Sequence, residues 1–347
     1  MFKSNRRLSI ENLEARQMMA GDVAAYVQNG NLYITEASGQ SGLDNAIQIS
    51  ELPNGMIRVA GTTTTTDNTM THVNKLNSQD FSVTGSLNVN LGGGSDLVVI
   101  GSEIGAPSPS FTQVNIDTSA PPVVLAPRSL ALGGVQTPFN APDNDDVIIW
   151  GIITHGDMNI TTGAGNDWVY VGGANMLAGN LAINTGAGAD TVQIENTVGI
   201  LAGTVDIQTY SSLSETDADV VWLDSAYMYG NLNVRTGGGN DLFHMENATV
   251  YNNMNFDAGA GDDSATLLHV DVVKSLMAQL GDGNDSLSLD YIYGQGDLHF
   301  LGGGGTDSLT RTANVFDLSL EQTGWEYING RLQIATSVGT VSSQRAV

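Results

Sequence analysis

An aspartate returns every 22 residues through the second half of this 347-residue chain, at Asp219, Asp241, Asp263, Asp285 and Asp307. Asp167 and Asp190 extend the series at a spacing of 23, Asp146 stands 21 before Asp167, and Asp96 carries a further copy. Each intact copy lies in a glycine-rich phrase: TGGGNDLFHM (236–245), TGAGNDWVYV (162–171), TGAGADTVQI (185–194), LGDGNDSLSL (280–289). A unit this short cannot bury an apolar face by itself, but it can when stacked on copies of itself. The period therefore predicts a repeat array, and it overrides the two or three domains that length alone would suggest.

The columns of the repeat give the type of unit. Counted from a start eleven residues before each Asp (Gly85, Gly156, Gly179, Gly230, Gly296), the second position is Leu87, Met158, Leu181, Leu232, Met254, Leu276 and Leu298. The fourth is Val89, Ile160, Ile183, Val234, Phe256, Ala278 and Phe300, and the residue between is polar in most copies. That is the alternation of a strand with one face inside. A second strand follows the Asp, with Val98, Val169, Val192, Val221, Phe243, Ala265 and Leu287 directed inward, and a third, weaker column holds Leu177, Leu201, Met228, Val250 and Val272. The expectation is an all-β chain, a right-handed parallel β-helix with about 22 residues and three short strands per coil. Nine coils at the strand spacing would span roughly 45 Å. No segment shows the 3.6-residue period of a helical solenoid.

Between the first and second strands the chain turns in about four residues. The third corner position is glycine in every intact copy (Gly94, Gly165, Gly188, Gly239, Gly261, Gly283, Gly305), which points to a backbone conformation or a close approach that a Cβ would forbid. The Asp is a separate problem. Stacking sets successive carboxylates about 4.8 Å apart, where two charges repel by about 3.5 kcal/mol at an effective dielectric near 20. Either each Asp accepts hydrogen bonds from backbone N–H groups of its own corner, or divalent cations sit between coils.

The corners GGGSD (92–96), GAGND (163–167), GGGND (237–241), GAGDD (259–263) and GDGND (281–285) resemble the loops of hemolysin-type (RTX) calcium-binding β-rolls. The resemblance implies Ca²⁺ held by Asp96, Asp167, Asp190, Asp241, Asp263, Asp285 and Asp307, with Gly94, Gly165, Gly239, Gly261 and Gly283 as further ligands through the backbone. It is partial. Family repeats run at nine residues, Ala164, Ala187 and Ala260 replace family glycines, and the corner at 210–219 has no glycine.

Residues 6–22, RRLSIENLEARQMMAGD, resemble the N-terminal motif of planctomycete extracellular proteins, through Arg6, Arg7, Leu8, Glu11, Leu13, Glu14, Arg16, Ala20, Gly21 and Asp22, with Met18-Met19 for the usual paired Leu. The resemblance implies export or surface display; the residues alone would also suit a short amphipathic helix. The chain carries 37 acidic and 12 basic residues, net −25. Without residues 1–20, which hold two acids and four bases, it carries 35 and 8, net −27. Such a field repels nucleic acid and anionic membranes and attracts divalent cations. There is no Cys, hence no disulfide framework, and no apolar run long enough for a transmembrane helix.

The chain then divides into an export segment (1–22), an N-terminal cap with irregular coils (23–84), the repeat helix (85–307) and a C-terminal cap (308–347). Seven of the eight prolines fall at 107–142, so 105–142 reads as a lateral insertion, while Asn329-Gly330 predicts a terminal hairpin. The run Thr62–Thr66 reads as an exposed strand or loop. No Gly-x-Ser-x-Gly, His-Glu-x-x-His or phosphate-loop motif occurs, the five His are scattered, and Arg235 reads as a solvated charge. The expected function is a non-enzymatic secreted or cell-surface β-solenoid with a structural, adhesive or interaction role, its partner a cell-surface polysaccharide or an extracellular protein. The alternative is a β-helix that binds or cleaves polysaccharide.

Overall fold

The computed structural model describes residues 21–39, 42–63, 69–101, 107–119, 143–173, 176–195, 202–312, 319–325, 327–328 and 331–332. Among these there is no helix; parallel strands stack as a β-solenoid of about eight turns, roughly 23 residues each. Residues 1–20 of the export segment, Thr64–Thr66, positions 120–142 and Leu201 lie outside the described residues.

Two long sheets and a short third one form the walls. The first has twelve strands, and from Asn31–Glu36 onward each pairs in parallel with the next coil's copy. Its register aligns Leu87, Val114, Met158, Leu181, Val205, Leu232, Met254, Leu276 and Leu298 in one column, all at most 1 % exposed. The second, of fifteen strands, does the same with Val98, Val147, Val169, Val192, Val221, Phe243, Ala265 and Leu287. The third-strand column is also buried, through Leu177, Met228, Val250 and Val272. One continuous apolar core thus runs the length of the solenoid.

In the later coils the second and third strands merge into nine-residue strands, Leu242–Val250, Ser264–Val272 and Ser286–Gly294. Their bend is made by one left-handed residue per coil: Ser225, Asn247, His269 and Tyr291 at φ 51–53°, continuing Gly151 and Gly173 of earlier coils. Non-glycine residues are disfavoured there by about 1–2 kcal/mol each. They are tolerated because the column faces outward, where His269 stacks on Tyr291 at 4.8 Å.

The stack is closed at its start by antiparallel strands. Val23–Gln28 pairs with Asn31–Glu36, and Ile57–Gly61 and Ser78–Phe81 extend the second sheet, covering edges that would otherwise template further pairing. At the far end Tyr327–Ile328 and Arg331–Leu332 pair antiparallel about positions 329–330. One difference from expectation concerns the proline-rich stretch. Ser110–Phe111 and Val114–Asp117 are regular members of the stack, pairing with Ile153–Thr154 and with both neighbouring coils. Pro109 accepts from the Ile153 N–H through its carbonyl, the one ladder group a proline retains.

Candidate functional site

The glycine corner joins the first sheet to the second, and its third position shows why no side chain is admitted. Gly261 has φ 136°, and a Cβ built there would lie 1.6 Å from the carbonyl oxygen of Gly239 in the preceding coil. Gly188 meets Gly165 in the same way at 1.8 Å. The N–H groups of Gly165, Gly239, Gly261 and Gly283 donate to the carbonyls of Ala187, Ala260, Asp282 and Gly304 in the next coil, at 2.7–2.8 Å. The Gly94 N–H instead donates to Asp143 Oδ1 at 2.6 Å.

All seven aspartates singled out by sequence stand in one file, at 0–2 % exposure. Each Oδ1 accepts the N–H of the file residue one coil earlier: Asp167 to Asp190 at 2.9 Å, Asp241 to Asp263 at 2.8 Å, Asp263 to Asp285 and Asp285 to Asp307 at 2.9 Å. The donor is thus the preceding coil and not the carboxylate's own corner. Alternation along the strand explains this. The N–H after each Asp points back, as Ser264 N–H does to Asp241 O, so the Asp N–H points forward. The bending chain offers it no carbonyl there, and the carboxylate supplies one.

The file also contains residues the repeat count missed. Asp145, not Asp146, occupies it, with Asp96 N–H on Asp145 Oδ1 and Asp145 N–H on Asp167 Oδ1, both at 2.8 Å. The signal was available, since Asp145 keeps the 22-residue spacing that Asp146 breaks. Asp219 joins in spite of its glycine-free corner. Asn45 begins the file, donating its N–H to Asp96 Oδ1 at 2.8 Å.

The residue before the Asp forms a second, outer ladder of opposite polarity. Asn166 N–H donates to Asn144 Oδ1 at 2.7 Å, Asp262 N–H to Asn240 Oδ1 at 3.0 Å, and Asn284 N–H to Asp262 Oδ1 at 2.8 Å. The Asn-Asp pair of the repeated phrase therefore ties each coil to both neighbours.

A third column escaped the sequence reading although it opens three of the quoted phrases. Thr118, Thr162, Thr185, Thr209 and Thr236 are fully buried beside the file. Thr209 Oγ1 donates to Asp219 Oδ2 at 2.6 Å. The hydroxyls of Thr118, Thr162, Thr185 and Thr236 face Asp145, Asp167, Asp190 and Asp241 in looser geometry and lower each carboxyl's pKa. The carbonyls of Thr185 and Ala258, at 3.1 and 3.2 Å, compete for the Thr162 and Thr236 protons. In the next coils Ala258 and Leu280 take this place. Among the described residues of the file only Asp219 Oδ2 receives a full hydroxyl bond; Oδ2 of Asp263 and of Asp285 is buried with no hydrogen-bond partner, as it is at Asp96, Asp145, Asp167, Asp190 and Asp241.

Burial, first of all, raises these carboxyls: Asp96 to about 10, Asp145 to about 9, Asp219 to about 8, Asp190 and Asp263 to about 7, Asp167 and Asp285 to about 6. Neighbouring carboxylates add to the shift, Asp241 and Asp285 acting on Asp263. A vertical file of like charges is thereby relieved in part by retained protons. Calcium would find Oδ1 engaged and the corner amides and carbonyls stacked between coils, leaving only second oxygens such as Asp263 and Asp285 Oδ2. Among the described residues no group of three or more His, Asp or Glu side chains converges as a metal site.

Residues 4–23 match the planctomycete extracellular family model. This supports an extracellular protein of that kind, through a short N-terminal stretch. Neither the curated proteins nor the solved structures yield a match to this chain. Among the described residues no helix is long and apolar enough to cross a membrane.

Proposed function

We propose that this chain is an extracellular structural scaffold, a β-solenoid that presents its outer faces to a cell-surface polysaccharide or an extracellular protein and performs no catalysis. The observation that carries this reading is the file itself. Its most buried polar groups, from Asn45 to Asp307, are engaged in joining one coil to the next, and none stands in a cleft as a general acid or base would. The acidic surface does not suit nucleic acid. Incubating the full chain with a polysaccharide panel, acidic and neutral, and assaying for reducing ends and unsaturated products tests it. Scaffold behaviour gives no product; product released in proportion to protein would replace this reading with a polysaccharide-cleaving one.

Calcium stabilisation is a second reading, favoured by the unpartnered Oδ2 atoms along the file, at Asp96, Asp145, Asp167, Asp190, Asp241, Asp263 and Asp285. Calorimetric melting with Ca²⁺ and with a chelator separates it from a file held by hydrogen bonds and protons. The hydrogen-bonded file predicts equal melting temperatures, the calcium reading a rise with Ca²⁺.

A further inference from the structure

The outer face of the first sheet carries an amide file with one member missing. Asn115 Nδ2 donates to Asn88 Oδ1 at 2.9 Å and Asn159 Nδ2 to Asn115 Oδ1 at 3.0 Å. Two coils on, the file resumes with Asn233 Nδ2 on Asp206 Oδ1 at 2.6 Å and Asn255 Nδ2 on Asn233 Oδ1 at 2.9 Å. The Asp206 carboxylate only accepts, so the direction of this second segment is fixed. Between the segments, in register with both, stands Ala182. It opens a depression of about 230 Å³ lined by Asn159, Asn184, Asp206, Gln208 and Arg235.

The chemistry of this gap is specific. On one side lies the Asn159 amide oxygen, which would receive a donor if residue 182 continued the file. On the other lies Asp206, which has no proton to offer. The gap thus presents two acceptors about two strand spacings apart, roughly 10 Å. The adjoining column adds the Asn184 and Gln208 amides and the Arg235 guanidinium, which makes no ion pair among the described residues. Groups that both accept and donate at this pitch suit hydroxyls. Asp206 and a net charge of −25 oppose an anionic chain, and Arg235 opposes a cationic one.

We infer that the Ala182 gap is a subsite for a neutral, hydroxyl-rich glycan segment lying across the first sheet. This rests on the scaffold reading and deepens it by naming the face and the ligand class. Affinity electrophoresis of the full chain in native gels containing laminarin, galactomannan or xyloglucan, with alginate as the anionic control, tests it. The expected result is retardation by at least one neutral polysaccharide and none by alginate. Ala182→Asn, which completes the amide file without disturbing the core, should weaken binding at least tenfold. Arg235→Ala, on the exposed rim, should weaken it several-fold and serves if Ala182→Asn does not fold. Absence of neutral retardation overturns the subsite, as does retardation by alginate alone. Retardation unchanged in both variants also overturns it, because the glycan would then sit on another face and the scaffold reading would stand. Product release from the gel polysaccharide would overturn the scaffold reading and leave the subsite in place.

Discussion

The coils before Asp241 and those after it solve the same corner differently. From Asp219 to Asp307 every coil has 22 residues, the strands of the second sheet run nine residues through the bend, and after Asp241 the space beside the carboxyl is filled by Ala258 and Leu280. Earlier coils are uneven. File neighbours are separated by 51 residues from Asn45 to Asp96, 49 to Asp145, and 29 from Asp190 to Asp219. Yet the file bond is 2.8 Å in all three, and from Asp145 to Asp241 a buried threonine stands beside each carboxyl. The contrast teaches that register is held at the corner and not by coil length. Where loops vary, Asp and Thr together fix the turn; where coils repeat evenly, longer strands and apolar packing take over from the hydroxyl.

The largest expected effect would erase that contrast. Gly261→Ala in the even half and Gly188→Ala in the uneven half both drive a Cβ into a carbonyl of the preceding coil. Each should destabilise by about 4 kcal/mol or more, the range of a named backbone clash. Gly55→Ala, at φ 77° with nothing within 4 Å, should lose only about 1–2 kcal/mol. Denaturant titration measures all three, and equal small losses would mean that the corners are not stacked as described.

Removal of the carboxyl sharpens the contrast. Asp263→Ala strands the Asp241 N–H, whereas Asp219→Ala strands the Asp190 N–H and also takes the short bond from the Thr209 hydroxyl, leaving it only the Thr236 carbonyl at 3.4 Å. An orphaned buried group costs about 1–3 kcal/mol, so Asp219→Ala should be the more damaging by about 1 kcal/mol. Asp263→Asn should behave otherwise. Asn45 shows that the file accepts an amide whose neighbour carboxylate takes the N–H. A carboxyl whose folded pKa, about 7 for Asp263, lies above its unfolded value of about 3.9 binds protons more tightly when folded. Its contribution is full below about pH 4 and is lost as pH rises through about 7. Asp263→Asn should therefore melt higher than the wild type at pH 8 and close to it at pH 5.

Most of the fold was legible because period-two alternation and a fixed 22-residue repeat are properties of the backbone. Leu87, Met158, Leu181 and Leu232 in the first sheet, and Val98, Val169, Val192 and Val221 in the second, could be assigned inward from spacing alone, as could their later copies. The wiring of the site was less legible. That the Asp needs an acceptor role follows from turn chemistry, but which coil supplies the donor depends on N–H alternation across a stack, and the sequence shows only one coil at a time. Asp145 was hidden by Asp146 at its side, and Val114–Asp117 by surrounding prolines. The threonine column went unread because Thr162, Thr185 and Thr236, each before a glycine, look like ordinary turn composition, while the partner lies five residues on for these three, ten on for Thr209 and 27 on for Thr118.

The smallest predicted effects exchange the two solutions. Thr162→Val removes the hydroxyl that lowers the Asp167 pKa and should cost about 1 kcal/mol or less while raising that pKa above about 6. Ala258→Thr offers Asp263 the hydroxyl it lacks, in a column that already admits Leu280. It should bring the Asp263 pKa down from about 7, leave stability within about 1 kcal/mol, and reduce the loss of melting temperature between pH 5 and 8.

A ¹³C titration of the aspartate side-chain carboxyls by NMR reads the burial of the file residue by residue, with Asp263→Asn and Asp285→Asn used to assign the two resonances. A buried, hydrogen-bonded file predicts a set of carboxyls titrating well above the rest, Asp263 near 7 and Asp285 near 6. Midpoints for both near the ordinary value of about 3.9 would show carboxylates open to water and contradict the stacked corner.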